Sequence, residues 1–127
     1  MNPIRILLVD DNFEFLEALG RFLSVDTGVK VVGHLLSGSE AIERMSVYRP
    51  DLVLMDLAMP GVNGLEATRW VKQQPDAPRV ILLTLYDNSE YRQAASEVHA
   101  DGYVVKSDLG QVLLPMIHSI VNQEQTQ

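Results

Sequence analysis

Five short apolar runs, each followed by a stretch of helical periodicity, organise this chain. The runs are Ile4-Arg5-Ile6-Leu7-Leu8-Val9, Val29-Lys30-Val31-Val32-Gly33, Asp51-Leu52-Val53-Leu54-Met55, Arg79-Val80-Ile81-Leu82-Leu83-Thr84 and Gly102-Tyr103-Val104-Val105. Aliphatic and β-branched residues that continue without alternation mark strands buried on both faces of a parallel sheet. Between the runs the period changes to that of an amphipathic helix. Phe15, Leu16, Leu19, Phe22 and Leu23 share one helical face, with Asn12 as a candidate N-cap. Ser37 and Glu40 have capping-box spacing ahead of Ala41, Ile42 and Met45, and Arg49-Pro50 stops that helix. Asn63 and Glu66 repeat the pattern ahead of Leu65, Ala67, Trp70 and Val71. A weakly apolar helix is predicted from Ser89 to Val98. The last helix carries Leu109, Val112, Leu113, Met116, Ile117, Ile120 and Val121.

Strand and helix thus alternate five times, which implies a doubly wound α/β fold with helices on both faces of a parallel sheet. Right-handed crossovers leave few topologies. Two of the runs end in acid, at Asp10-Asp11 and at Asp56. Ligands of open α/β sheets sit beyond the carboxyl ends of the strands. The acids meet only if the first and third strands are neighbours, and strand order 2-1-3-4-5 provides this. Pro115 interrupts the last pattern. Inside a helix it removes a hydrogen bond and costs about 3 kcal/mol, so the helix is expected to start late, near Gln111, or to kink.

Composition narrows the class without changing the fold. The chain has 127 residues, 46% of them hydrophobic and 21% charged, the balance of one globular domain. It has no cysteine, so disulfide and thiol chemistry are excluded, in keeping with a cytoplasmic protein. No apolar stretch reaches the roughly 20 residues of a membrane span, and no signal-peptide pattern opens the chain. A net charge of −7 repels phosphates, so this chain by itself is not expected to bind nucleic acid.

The chemistry collects at the carboxyl edge of the predicted sheet. Asp10, Asp11 and Asp56 converge there, Thr84 ends the fourth strand, and Lys106 follows the fifth. Three clustered carboxylates are costly unless a cation or a proton relieves them. Together with a hydroxyl and an ammonium they suit a hard divalent cation and a phosphoryl group. A carboxylate can attack phosphorus to give an acyl phosphate. The metal, Thr84 and Lys106 then neutralise charge on the equatorial oxygens.

The ordered set Leu8-Val9-Asp10-Asp11, Met55-Asp56-Leu57-Ala58-Met59-Pro60-Gly61-Val62-Asn63-Gly64, Leu82-Leu83-Thr84 and Asp101-Gly102-Tyr103-Val104-Val105-Lys106 resembles the receiver domain of bacterial two-component response regulators. The likeness covers residues 4 to 121. It implies a flavodoxin-like (βα)5 fold and a signalling phosphoacceptor rather than an enzyme with a separate substrate. By this resemblance Asp56 takes a phosphoryl group from a phosphohistidine on a sensor histidine kinase. Asp11, Asp56 and the Ala58 carbonyl ligate Mg2+, and Asp10 acts mainly through a metal-bound water. Thr84 and Lys106 hold phosphoryl oxygens, and Tyr103 swings inward when Thr84 moves. The segment ending Lys106-Ser107 is closer to the NarL/FixJ-like branch, whose receivers usually precede a helix-turn-helix. Residues 1–121 are therefore expected to form the receiver. The glutamine-rich residues 122–127 would begin a linker to an output domain that binds DNA, and phosphorylation would bring two receivers together.

Some positions depart from the family pattern. Ser107 stands where many receivers have a proline after a cis peptide bond, and a cis bond without proline costs about 3–4 kcal/mol. His99 occupies a place often held by glycine. Ala58 and Tyr86 lie where side chains tune hydrolysis of the phosphorylated aspartate. Ala58 cannot orient a water, which predicts slow autodephosphorylation.

Plainer readings and other functions compete with this one. Asp10-Asp11 alone is also a helix N-terminal acid pair; Thr84 alone is a strand end, Lys106 a surface charge and Tyr103 core packing. Trp70, His34, His99 and His118 carry no assignable role. An aspartyl hydrolase of small phosphates needs a second acid two residues after the nucleophile, and Ala58 stands there. A nucleotide-binding module lacks its glycine-rich loop. A receiver that acts alone, by protein contact, is the remaining alternative to a transcriptional regulator.

Overall fold

A computed structural model describes residues 2–125, with side-chain surroundings through Asn122. Strands β1 (Ile4–Val9), β2 (Val29–Leu35), β3 (Leu52–Asp56), β4 (Arg79–Thr84) and β5 (Gly102–Val105) alternate with helices α1 (Phe13–Leu23), α2 (Gly38–Tyr48), α3 (Gly64–Lys72), α4 (Ser89–Glu97) and α5 (Leu109–Gln125). The five strands are parallel, in the expected order β2-β1-β3-β4-β5.

Successive side chains of a strand point to opposite faces, and here they divide the core in two. Ile6, Leu8, Leu52, Leu54, Ile81 and Leu83 face α1 and α5, where Leu16, Leu19, Leu23, Leu113 and Ile117 meet them. Leu7, Val9, Val53, Met55, Val80 and Leu82 face α2, α3 and α4, through Ala41, Met45, Ala67, Val71 and Ala95. Because both faces are covered, the central strands read as nearly continuous apolar runs.

The helices start where their caps predict. Asn12 accepts from the Phe15 amide, Ser37 from Glu40 and Asn63 from Glu66. At α3 the box is complete, since Glu66 also accepts from the Asn63 amide. At α2 it is not: Glu40 reaches one residue further back, to the Leu36 amide at 2.8 Å. The C-terminus of α2 is closed by Arg49 in the left-handed conformation (φ 46°). The Arg5 guanidinium donates to the Tyr48 carbonyl at 2.7 Å.

The structure also differs from the pattern. Strand β2 continues through His34 to Leu35, and its register against β1 shifts between Ile6 and Leu7. A single 3-10 turn, Lys106–Asp108, leads directly into α5. That helix begins at Leu109, not late near Gln111, so Pro115 lies inside it. Pro115 and Gln111 both face solvent, so water can serve the Gln111 carbonyl that proline leaves without a donor. Asn122 to Gln125 continue α5, while Thr126 and Gln127 lie outside the described residues. Among the described residues no peptide bond is cis, so Lys106-Ser107 is trans. No helix among them is long and apolar enough to cross a membrane.

His99 adopts φ 67° and directly follows Val98, the C-cap of α4. Its amide donates to Ser96, and the Ala100 amide donates to Ala95, both at 3.0 Å. This is the paired hydrogen bonding of a Schellman motif, whose left-handed residue is usually glycine.

Candidate acidic site at the carboxyl edge of the sheet

Strand register builds this site. Val9 pairs with Met55, so Asp10 leaves β1 beside Asp56 at the end of β3. Asp56 pairs with Leu83, and Thr84 with Val105, which brings Thr84 and then Lys106 to the same edge. The loop after Asp56 is held close by Gly64, whose amide donates to the Leu57 carbonyl at 2.8 Å. A Cβ on Gly64 would overlap the Asp56 carbonyl oxygen, so only glycine permits this approach.

The three predicted acids do meet. Asp10, Asp11 and Asp56 each offer a carboxylate oxygen, and these oxygens lie within 4.8 Å of one another. Asp10 and Asp56 are buried and Asp11 is exposed. Asp10 is held at both oxygens: Oδ1 accepts from the Asn12 amide at 2.8 Å, and Oδ2 from the Lys106 ammonium at 2.9 Å. The same ammonium lies 3.6 Å from Asp56 Oδ1. Asp56 is less well satisfied. Burial pushes its pKa up to about 6, and the neighbouring Asp10 and Asp11 charges add to this; Lys106 and the Ala58 amide pull the other way. Asp56 is therefore ionised at neutral pH while carrying charge that its surroundings do not fully compensate.

This donor set fits Mg2+. A hard divalent cation takes a few carboxylate oxygens and fills its other octahedral positions with water or phosphate oxygen. A cation there would also relieve the repulsion that raises the Asp56 pKa.

Thr84 is buried, and its Oγ1 accepts from the Tyr86 amide at 3.4 Å. Tyr103 is half-buried on β5; its hydroxyl donates to the Tyr86 carbonyl at 3.3 Å, and the Arg92 guanidinium lies 4.6 Å from its ring centroid. One residue, Tyr86, thus joins the Thr84 hydroxyl to the Tyr103 hydroxyl. The side chains of Ala58 and Tyr86 are exposed beside this edge.

Sequence reasoning missed one contact. The Lys106 ammonium sits 4.1 Å from the centroid of the Phe15 ring, whereas helical spacing places Phe15 only on the buried face of α1. A second cluster went unread at the other edge of the sheet. Asp101 there joins Lys72 at 2.6 Å and Arg79 at 3.2 Å, and accepts from the Val80 amide at 2.8 Å. His118, given no role, pairs with Asp26 at 2.8 Å and holds the Asp26 carboxyl below its usual range.

Comparison with known proteins agrees with the geometry. The family model described as the response regulator receiver domain matches residues 6–118. The response regulator protein VraR of Staphylococcus saprophyticus is 37% identical over 124 residues, covering 96% of this chain and 58% of that protein. Response regulator UvrY of Escherichia coli is 33% identical over 117 residues, covering 92% of this chain and 54% of that protein. The chain therefore spans little more than half the length of these curated relatives. The crystal structure of a LuxR-family two-component response regulator from Aurantimonas sp. SI85-9A1 superposes with a TM-score of 0.90 at 34% identity, covering 96% of this chain and 87% of that one.

Proposed function

This chain belongs to the response regulator receiver domain family, within its NarL/FixJ-like branch, and on that premise we propose that Asp56 accepts a phosphoryl group from a sensor histidine kinase. The observation that carries the reading is the packing of Asp56 between two other carboxylates and one ammonium. A buried acid with this company is ionised at neutral pH yet under-compensated, the state a carboxylate nucleophile requires.

In the transfer, an Asp56 oxygen forms the O–P bond while the P–N bond of the donor phosphohistidine breaks. The imidazole leaves with the bonding pair and takes up a proton. Asp11, Asp56 and the Ala58 carbonyl would hold Mg2+, with Asp10 acting through a bound water. The metal supplies positive charge for the phosphoryl oxygens. Lys106 offers an ammonium to those oxygens, and Thr84 a hydroxyl. When the Thr84 hydroxyl turns toward the phosphoryl group, the Tyr86 amide loses its acceptor. The loop that Tyr103 holds through the Tyr86 carbonyl is then free to move, which gives a route from chemistry to shape. Ala58 presents no polar group to an attacking water, so the phosphorylated state is long-lived, and the chain works as a signalling phosphoacceptor rather than a hydrolase.

The output is read from the relatives. Because the curated relatives are longer and a LuxR-family regulator is among the similar structures, the proposed role is control of transcription in the cytoplasm through a DNA-binding domain reached by a linker near residues 122–127, with two receivers pairing on phosphorylation. Incubation with acetyl phosphate and Mg2+ followed by intact mass tests the core of the proposal. One added phosphoryl group is expected, persisting for many minutes. No added mass with acetyl phosphate or with candidate kinases would rule the reading out, and a lifetime of seconds would remove the role given to Ala58.

A further inference from the structure

Among the described residues, two carboxylates and one neutral ring lie close to the Lys106 ammonium. Asp10 Oδ2 lies 2.9 Å away, Asp56 Oδ1 3.6 Å, and the centroid of the Phe15 ring 4.1 Å. Phe15 stands near the start of α1, half-buried, and packs against the core face that α1 shares with α5. The Lys106 side chain is itself only 13% exposed, so its charge meets the ring with little intervening water.

A lysine carries its charge on a flexible four-carbon stem and needs fixed neighbours to hold one position. In phosphoryl transfer both carboxylate neighbours change. The Asp56 carboxylate is consumed as it becomes an acyl phosphate, and the Asp10 charge is shared with a cation. The face of Phe15 does not change. It does not titrate, cannot ligate a hard cation, and attracts an ammonium through the ring quadrupole without using one of its hydrogen bonds. The ring leaves the ammonium donors that Asp10 does not engage available to phosphoryl oxygens.

We propose that Phe15 is a positioning residue whose ring face holds the Lys106 ammonium over the acidic edge while Asp56 passes from carboxylate to acyl phosphate. This rests on the reading of Asp56 as the phosphoacceptor. It separates Phe15 from ordinary core packing, for which the electronic character of the ring is irrelevant.

The test replaces Phe15 with mono-, di- and trifluorinated phenylalanine, which keep the shape of the ring while draining negative potential from its face. Each protein is phosphorylated with acetyl phosphate and Mg2+ and followed by intact mass. A stepwise fall in rate is expected, about 2- to 30-fold across the series, with unchanged melting midpoints. A second readout needs neither metal nor phosphoryl donor. Ring shielding moves the Lys106 ε-methylene proton resonances upfield in the wild type, and Phe15→Leu returns them toward random-coil positions. Unshifted wild-type resonances would overturn the proposal. A flat fluorine series in a protein that is phosphorylated sinks the role of Phe15 alone. A wild type that takes no phosphoryl group sinks it together with the phosphoacceptor reading.

Discussion

Asp56→Asn should make the metal-free protein more stable at neutral pH, although it removes the residue at the centre of the site. Burial and two neighbouring carboxylates push the Asp56 pKa up to about 6, from 3.8 in an unperturbed chain. A carboxyl whose pKa is higher in the folded state favours folding while protonated. That contribution is fully present below pH 3.8 and is lost as pH rises through about 6. At pH 7.5 the ionised Asp56 therefore costs about 2–3 kcal/mol relative to a neutral side chain of the same shape. The asparagine variant escapes this cost, which is already net of the attraction to Lys106 at 3.6 Å. Urea denaturation of both proteins in the presence of a chelator, at pH 7.5 and again near pH 4, measures it. The variant is expected to unfold at higher urea by about 2 kcal/mol at pH 7.5, and the gap should close on acidification. Mg2+ should narrow the gap at pH 7.5, because it binds the folded wild type and not the variant to the same degree. Equal stabilities at pH 7.5, or a gap that widens toward pH 4, would refute the electrostatic account of the site.

Three further outcomes follow from the same structure. Asp10→Asn removes a like charge and should lower the Asp56 titration midpoint from about 6, whereas Lys106→Met removes an attractive charge and should raise it. Carboxyl carbon NMR reads both, and shifts in the reverse order would show that the pairing is wrong. His99→Gly relieves a left-handed backbone at φ 67° and should stabilise the protein by roughly 0.5–1 kcal/mol. A lower melting midpoint would mean that the His99 side chain contributes more than its backbone costs. Asp101→Ala leaves Lys72 and the Val80 amide without their shared acceptor and should cost roughly 2–4 kcal/mol in denaturant. A loss below half a kilocalorie would show the cluster to be dispensable.

What the sequence carried and what it hid separate along physical lines. Strand order was legible because β1, β3 and β4 are buried on both faces and, beyond Arg5 and Arg79 near their starts, run apolar toward their carboxyl ends, so the acids that end β1 and β3 mark the edge of the sheet. The caps Asn12, Ser37 and Asn63 were legible because each accepts from the amide three residues ahead. Contacts that join distant elements leave no periodic trace. The Phe15 ring over Lys106 brings α1 to the end of β5, and nothing in the helical spacing of Phe15 distinguishes a ring that faces the core from one that also faces a charge. The Asp101 cluster and the His118–Asp26 pair were hidden for the same reason. The late start near Gln111 that Pro115 suggested failed because propensity treats a helix as isolated. In the fold, Leu113, Ile117 and Ile120 bury one face of α5, and that packing outweighs one missing hydrogen bond on the face turned to water. Glu40 shows the limit of local motifs: its spacing from Ser37 was right, yet its carboxylate chose the amide of Leu36.

The central claim is that Asp56, and no other carboxylate of the acidic edge, forms the acyl phosphate. Borohydride reduces an aspartyl phosphate to homoserine, so treatment of the protein with acetyl phosphate, Mg2+ and then borohydride records where the phosphoryl group sat. Peptide mass mapping is predicted to find homoserine at position 56 alone. Homoserine at position 10 or 11, or at none of the three, would contradict the account.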